Sequence, residues 1–300
     1  MPAALNTIAA RGVGRLASPV QQGIALSNGS RSRALNTNAN TSKASNSIKH
    51  SSSGKNSSVN SSTAVRSISG KSNMSTQQFK YRDPIVFNAR DKHTGTVIML
   101  HGLGDSGDGW APVGAEWAPQ LRHVKFVFPH APNRPISVNF GMRMPGWYDI
   151  ASLEDIDQKE DKNGLHESKR YIEELIDAEI AGGVPSERVV VAGFSQGGAV
   201  ALMALRSEHK LAGVIGLSTY LPLRKEPPLV SEANMNTPIF QAHGDADYTV
   251  GYKFGVTTYN MLKELGANIT FKTYNGMAHG AVPQEIADVG AFLKKVLPPQ

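Results

Sequence analysis

From residue 84 onward, short apolar runs alternate with stretches that are apolar on one helical face only. Residues 96–100 and 124–128 are apolar and rich in β-branched side chains, and each stops at a chain breaker, Gly102 and Gly104 after the first and Pro129 after the second. Both read as buried strands. Residues 168–181 place Tyr171, Ile172, Leu175, Ile176 and Ile180 at helical spacing, until Gly182-Gly183 and Pro185 end the run. The same reasoning predicts strands at 188–192, 211–217, 238–242 and 268–274, and helices at 197–206, 252–265 and 283–296. Strands and helices in this order predict an α/β fold, with a mostly parallel central sheet and helices on both faces. Chemistry in such sheets collects at the carboxyl ends of the strands, which directs attention to the segments just past each one.

The first 78 residues break the pattern. Residues 27–75 hold 25 Ser or Asn among 49, and no aromatic residue precedes Phe79. Such a segment buries too little apolar surface to offset its chain entropy, so a disordered tail over 1–78 and a single folded domain over 79–300 are expected. Charge divides the same way. Eleven Lys and Arg and no acid precede Asp83, whereas the remainder carries 20 basic and 25 acidic residues. The net charge of +6 therefore belongs to the tail, and a mildly acidic body argues against a reader of duplex nucleic acid. Leu5, Ile8, Val13, Leu16 and Val20 would share one helical face beside Arg11 and Arg15, a pattern similar to a mitochondrial presequence, although Gly12, Gly14 and Pro19 work against the helix. Met74 would open a shorter product containing the whole folded part. Zero cysteines exclude disulfides and cysteine nucleophiles, and the chain holds no apolar stretch long enough to span a bilayer, so a soluble intracellular protein is expected.

Gly193-Phe194-Ser195-Gln196-Gly197 is a G-x-S-x-G sequence between a Val-rich predicted strand and a small-residue predicted helix. In that context the glycines permit a sharp turn that exposes the Ser195 hydroxyl. A serine hydroxyl needs a base, and the chain order for this arrangement is serine, acid, histidine. Only His243 and His279 lie beyond His209. His243 ends a predicted buried strand and suits a structural role; His279, in a Gly-flanked loop before the last helix, suits the base. The acid is Asp245 or Asp247, both just past a strand end, and spacing does not choose between them. Asp288 follows His279 and reads as a solvated helix residue. The backbone N–H of Gln196 is the expected first oxyanion donor, and the 101–104 loop should supply the second.

His101-Gly102-Leu103-Gly104-Asp105, Pro129-His130-Ala131-Pro132, Trp147-Tyr148-Asp149, Gly193-Phe194-Ser195-Gln196-Gly197-Gly198 and His243-Gly244-Asp245-Ala246-Asp247 occur in this order. Together they resemble the acyl-protein thioesterase/lysophospholipase family of α/β-hydrolases. The resemblance runs from about Thr96 to Pro299 and implies Ser195 as nucleophile, Asp247 as acid, His279 as base, and Leu103 and Gln196 as backbone oxyanion donors. It also implies hydrolysis of palmitoyl thioesters on S-acylated proteins such as G proteins, weaker action on lysophospholipids, no cofactor or metal, and a cytoplasmic or nuclear location, against the mitochondrial one that the presequence-like start suggests. Tyr248-Thr249-Val250-Gly251 departs from the family's usual Pro-Leu-Val-Pro, and the long basic tail is a second departure.

A long acyl chain must be sheltered from water, and Ile136, Val138, Phe140, Met142, Met144, Trp147 and Tyr148 are candidate walls, with a role in the core as the competing reading. Three other functions compete: a lysophospholipase or carboxylesterase with the same triad, a catalytically silent hydrolase-fold protein that binds lipid or protein, and a basic tail that binds anionic membranes or RNA.

Overall fold

A computed structural model describes residues 79–157 and 159–300. The tail expected over 1–78, with its presequence-like start and Met74, lies outside the described residues. Seven strands form one sheet: β1 (Ile85–Phe87), β2 (Gly95–Leu100), β3 (Val124–Phe128), β6 (Val189–Phe194), β7 (Gly213–Leu217), β8 (Ile239–Gly244) and β9 (Ile269–Tyr274). Their spatial order is β1-β3-β2-β6-β7-β8-β9. Every pairing is parallel except β1 against β3. The helices are α1 (Gly107–Trp117), α2 (Lys162–Ala181), α3 (Gln196–Met203), α4 (Tyr252–Glu264) and α5 (Pro283–Val296), and β4 (Asn133–Ile136) and β5 (Met142–Pro145) make a separate antiparallel hairpin. No described helix is long and apolar enough to cross a membrane.

The central strands are buried on both faces, which is why they read as continuous apolar runs. Side chains alternate between two cores. Ile98, Leu100, Val189 and Val191 join α2, α3 and α4 on one face. Val97, Met99, Val190 and Ala192 point to the other, where Trp110, Val113 and Trp117 of α1 meet Ile286, Val289 and Leu293 of α5.

The structure adds elements to the sequence reading. α1 was not expected, because Gly107, Gly109, Gly114 and Pro112 mask its helical spacing. Gly114 has a packing reason, since any side chain there would collide with the Phe128 ring. α2 begins six residues before the expected start at Ser168, with Asp161 as its N-cap accepting the Gly164 N–H at 2.9 Å. The hairpin and the edge strand β1 were also unforeseen. Asp288 is not simply solvated: its Oδ2 accepts the Tyr274 hydroxyl at 2.7 Å and pairs with Lys272.

Candidate active site

β6 ends in a sharp turn at Ser195. Ser195 has φ 54° and ψ −121°, a left-handed conformation that costs on the order of 1–3 kcal/mol for a non-glycine residue. Two backbone bonds and one side chain hold it there: the Ser195 N–H donates to Leu217 O at 2.8 Å, the Ala199 N–H donates to Ser195 O at 3.1 Å, and the Thr219 hydroxyl reaches the same carbonyl at 2.7 Å. Glycine is required on both sides. A Cβ on Gly193 would run into the Gly197 carbonyl, and one on Gly197 into the carbonyls of Leu100 and His101.

The loops after β8 and β9 complete the arrangement. His279 Nε2 lies 2.9 Å from Ser195 Oγ, and His279 Nδ1 lies 2.7 Å from Asp247 Oδ2. A carboxylate only accepts, so Nδ1 carries the proton and Nε2 offers its lone pair to the serine hydroxyl. The His279 ring rests on Phe194, with ring centroids 4.9 Å apart. Of the two aspartates left open by spacing, Asp247 meets the histidine. Asp245 turns instead to the Gly276 N–H at 2.7 Å, fastening the β8 loop to the loop that bears His279.

Asp247 is almost fully buried, and burial alone pushes its carboxyl up. Hydrogen bonds from His243, His279 and the Val250 N–H outweigh this and bring it down to about 2. Asp247 Oδ1 accepts the N–H groups of Thr249 and Val250 at 2.9 Å each. The unusual Tyr248-Thr249-Val250-Gly251 loop therefore still wraps the carboxylate with backbone donors. His243, wholly buried, has its Nε2 2.8 Å from Val250 O and 3.4 Å from Asp247 Oδ2. Since a carbonyl and a carboxylate both accept, that nitrogen carries the proton.

On the other side of Ser195 stands the 101–104 loop. Gly102 approaches so closely that a Cβ there would be 3.4 Å from Ser195 Cβ and 3.2 Å from the Phe194 ring. Among the described residues, neither the Leu103 nor the Gln196 N–H has a partner within the protein. His101 is wholly buried, and burial holds its imidazole down to about 4, so it stays neutral.

The expected acyl walls divide. Trp147 and Ile136 are 0% exposed and Tyr148 is buried, so these three belong to the packed interior, and Trp147 is not the wall of an open channel. Phe140 and Met142, by contrast, stand at the surface. Phe140 sits at the hairpin turn with φ 56° and is fully exposed, and Met142 is 63% exposed. Met144 is half-buried and receives the Asn139 side-chain amide at its Sδ.

The sequence reading missed what the side chains of Gln196, Trp147 and His101 do. Gln196 was singled out only for its main chain, yet its side-chain amide oxygen and nitrogen both bond the backbone of residues 147 and 148.

Residues 82–297 match the phospholipase/carboxylesterase family. The chain is 48% identical over 227 residues to the Neurospora crassa protein named acyl-protein thioesterase 1, covering 72% of this chain and 93% of that one. It is 46% identical over 234 residues to the Mycosarcoma maydis protein of the same name, covering 72% and 98%. The fold superposes on the crystal structure of Arabidopsis thaliana SOBER1 with a TM-score of 0.65 at 31% identity, over 68% of this chain and 99% of that one. Zea mays acyl-protein thioesterase 2 gives 0.61 at 29%, over 72% and 100%. The matched span takes in the Ser195 turn, the 101–104 loop and both loops that carry Asp247 and His279, and the chain belongs to the phospholipase/carboxylesterase family of α/β-hydrolases.

Proposed function

We propose that this protein hydrolyses the thioester between a fatty acyl group and a cysteine of an S-acylated protein, through an acyl-serine intermediate. The observation that carries the reading is the continuous chain Ser195 Oγ, His279, Asp247, closed at 2.9 and 2.7 Å, in a hydrolase whose relatives bear the name acyl-protein thioesterase 1. Ser195 Oγ attacks the carbonyl carbon as His279 Nε2 takes its proton. The resulting imidazolium is stabilised by ionised Asp247. The tetrahedral oxyanion is received by the N–H groups of Leu103 and Gln196, each contributing on the order of 3 kcal/mol. Collapse breaks the carbon–sulfur bond, and His279 returns its proton to the departing cysteine sulfur. Water then adds to the acyl-serine with His279 again as base, releasing the fatty acid and restoring the Ser195 hydroxyl.

A thiolate is a better leaving group than an alkoxide because its conjugate acid has a pKa near 8.5. Hydrolysis of a palmitoyl-cysteine peptide, compared with a matched palmitoyl oxyester and with Ser195→Ala, tests the reading. Turnover of the thioester that exceeds the oxyester and vanishes in the variant supports it. Preference for the oxyester or a lysophospholipid would give the protein to the second reading, a lipid esterase, which the family's description as phospholipase and carboxylesterase favours.

A further inference from the structure

We propose that the Gln196 side chain, Trp147 and His101 form a brace that holds the two oxyanion donors in register, so that Gln196 and Trp147 are positioning residues for the reaction. The inference rests on the reading above, in which the Leu103 and Gln196 N–H groups receive the oxyanion. Those donors sit on different elements, one after β2 and one at the start of α3, and no hydrogen bond of the triad joins them.

Residues 145–148 supply the missing connection. Pro145 O accepts the Gly104 N–H at 2.8 Å, tying this segment to the loop of the Leu103 donor. Its other end is paired with Gln196. The Trp147 N–H donates to Gln196 Oε1 at 2.9 Å, and Gln196 Nε2 donates to Tyr148 O at 2.6 Å. Both polar ends of a side chain that is 2% exposed are thereby used on one stretch of backbone. The Trp147 indole N–H then donates to His101 O at 2.8 Å, and the Ser168 hydroxyl donates to Trp147 O.

His101 carries the constraint to the donor itself. Its Nε2 accepts the Ala131 N–H at 3.0 Å, so its proton sits on Nδ1, which donates to Gly102 O at 2.7 Å. The peptide unit is planar and trans, so fixing Gly102 O on one side fixes the Leu103 N–H on the opposite side. One set of buried bonds thus aims both donors. Misplacing such groups by an ångström or less costs roughly 10- to 100-fold in rate.

The test uses the full chain with Gln196→Met, Gln196→Glu and Trp147→Phe. Met keeps the length and the backbone N–H but loses both side-chain bonds. Measured are kcat and KM on a short p-nitrophenyl ester and on a palmitoyl-cysteine peptide, the rate of Ser195 phosphonylation by a fluorophosphonate, and Tm. For Gln196→Met, kcat and the phosphonylation rate should fall roughly 10- to 100-fold on both substrates, with KM within about threefold. Gln196→Glu should match it at pH 8. Its activity relative to wild type should climb as pH falls, because a protonated carboxyl again donates to Tyr148 O, while the Met ratio stays flat. Trp147→Phe should lose less, since only the bond to His101 O is cut.

A merely structural role would lower Tm without that pH dependence. Normal kcat in Gln196→Met, or a loss confined to KM, would overturn the brace. A wild type that hydrolyses the short ester and spares the palmitoyl peptide would overturn the thioester reading alone, and the brace would still be decided on the short ester.

Discussion

The segments around Ser195 and the β4–β5 hairpin are built on opposite terms. The turn after β6 is buried and strained at Ser195, its glycines are dictated by close backbone approach, and short hydrogen bonds tie it through His279 to the buried Asp247. The β4–β5 hairpin meets solvent with Phe140 and Met142 and is anchored mainly from below, through Ile136 and Arg134. Backbone on all sides leaves Gly193 and Gly197 almost no freedom to vary, whereas the hairpin tip can change side chains at little cost in stability. Chemistry is thus fixed on one side, and shape is left adjustable on the other.

The largest expected effect lies on the fixed side. Ser195→Ala should reduce hydrolysis by roughly 10⁴- to 10⁶-fold and abolish fluorophosphonate labelling while Tm changes little, since the hydroxyl contributes chemistry and only one hydrogen bond. Appreciable residual turnover in that variant would mean that the fixed region is not the reaction centre.

Gly197→Ala probes the same region by packing. The added methyl drives into the Leu100 and His101 carbonyls, where backbone on both sides cannot yield. A loss of several kcal/mol in chemical denaturation is expected. A well-folded, active Gly197→Ala protein would show the turn to be looser than its geometry implies.

These residues were legible in the sequence because their constraints are local. A glycine demanded by a neighbouring carbonyl and a serine between a strand and a helix leave marks a few residues apart. The choice of Asp247 over Asp245 was not local. It depends on which carboxylate of the loop after β8 meets His279 on the loop after β9, and only the family resemblance made that choice in advance. Trp147 was ambiguous for a related reason: an apolar residue near a site reads equally as wall or core until its indole is seen donating to His101 O. α1 stayed hidden because two of its glycines, Gly107 and Gly114, serve close packing on Phe128, and packing overrode their poor helix propensity.

A third prediction concerns Glu285, in the first turn of α5 just after the His279 loop. It is 0% exposed and neither carboxylate oxygen has a partner among the described residues. Burial, then the neighbouring Asp288 charge, pushes its carboxyl up to about 8 from 4.5. The folded protein keeps a proton that the unfolded chain releases above about pH 4.5, so stability from this group is fully present below that pH and is lost as pH rises through 8. Glu285→Gln carries no titrating proton. Its Tm advantage should grow from about pH 5 and level off beyond about pH 8. A constant Tm difference across that range would mean that Glu285 is solvated or paired. Asp247 acts in the opposite direction: its carboxyl, held at about 2, contributes stability above the unfolded value of 3.8, lost as pH falls toward 2.

The smallest effect belongs to the adjustable side. Phe140→Ser should change stability by no more than about 0.5 kcal/mol, because the ring is fully exposed and removes no apolar area from water. Met144 differs from it, being half-buried beside Asn139 and close to the base of the hairpin. If the hairpin borders the acyl group, Met144→Trp should shorten the preferred chain in a series of acyl thioesters from butyryl to palmitoyl, with turnover of the shortest member unchanged. The Phe140 variant should keep the wild-type profile. An unaltered profile in both would remove the hairpin from acyl selection, and a Tm loss in Phe140→Ser would mean that the tip is packed against the body, erasing the contrast between the two regions.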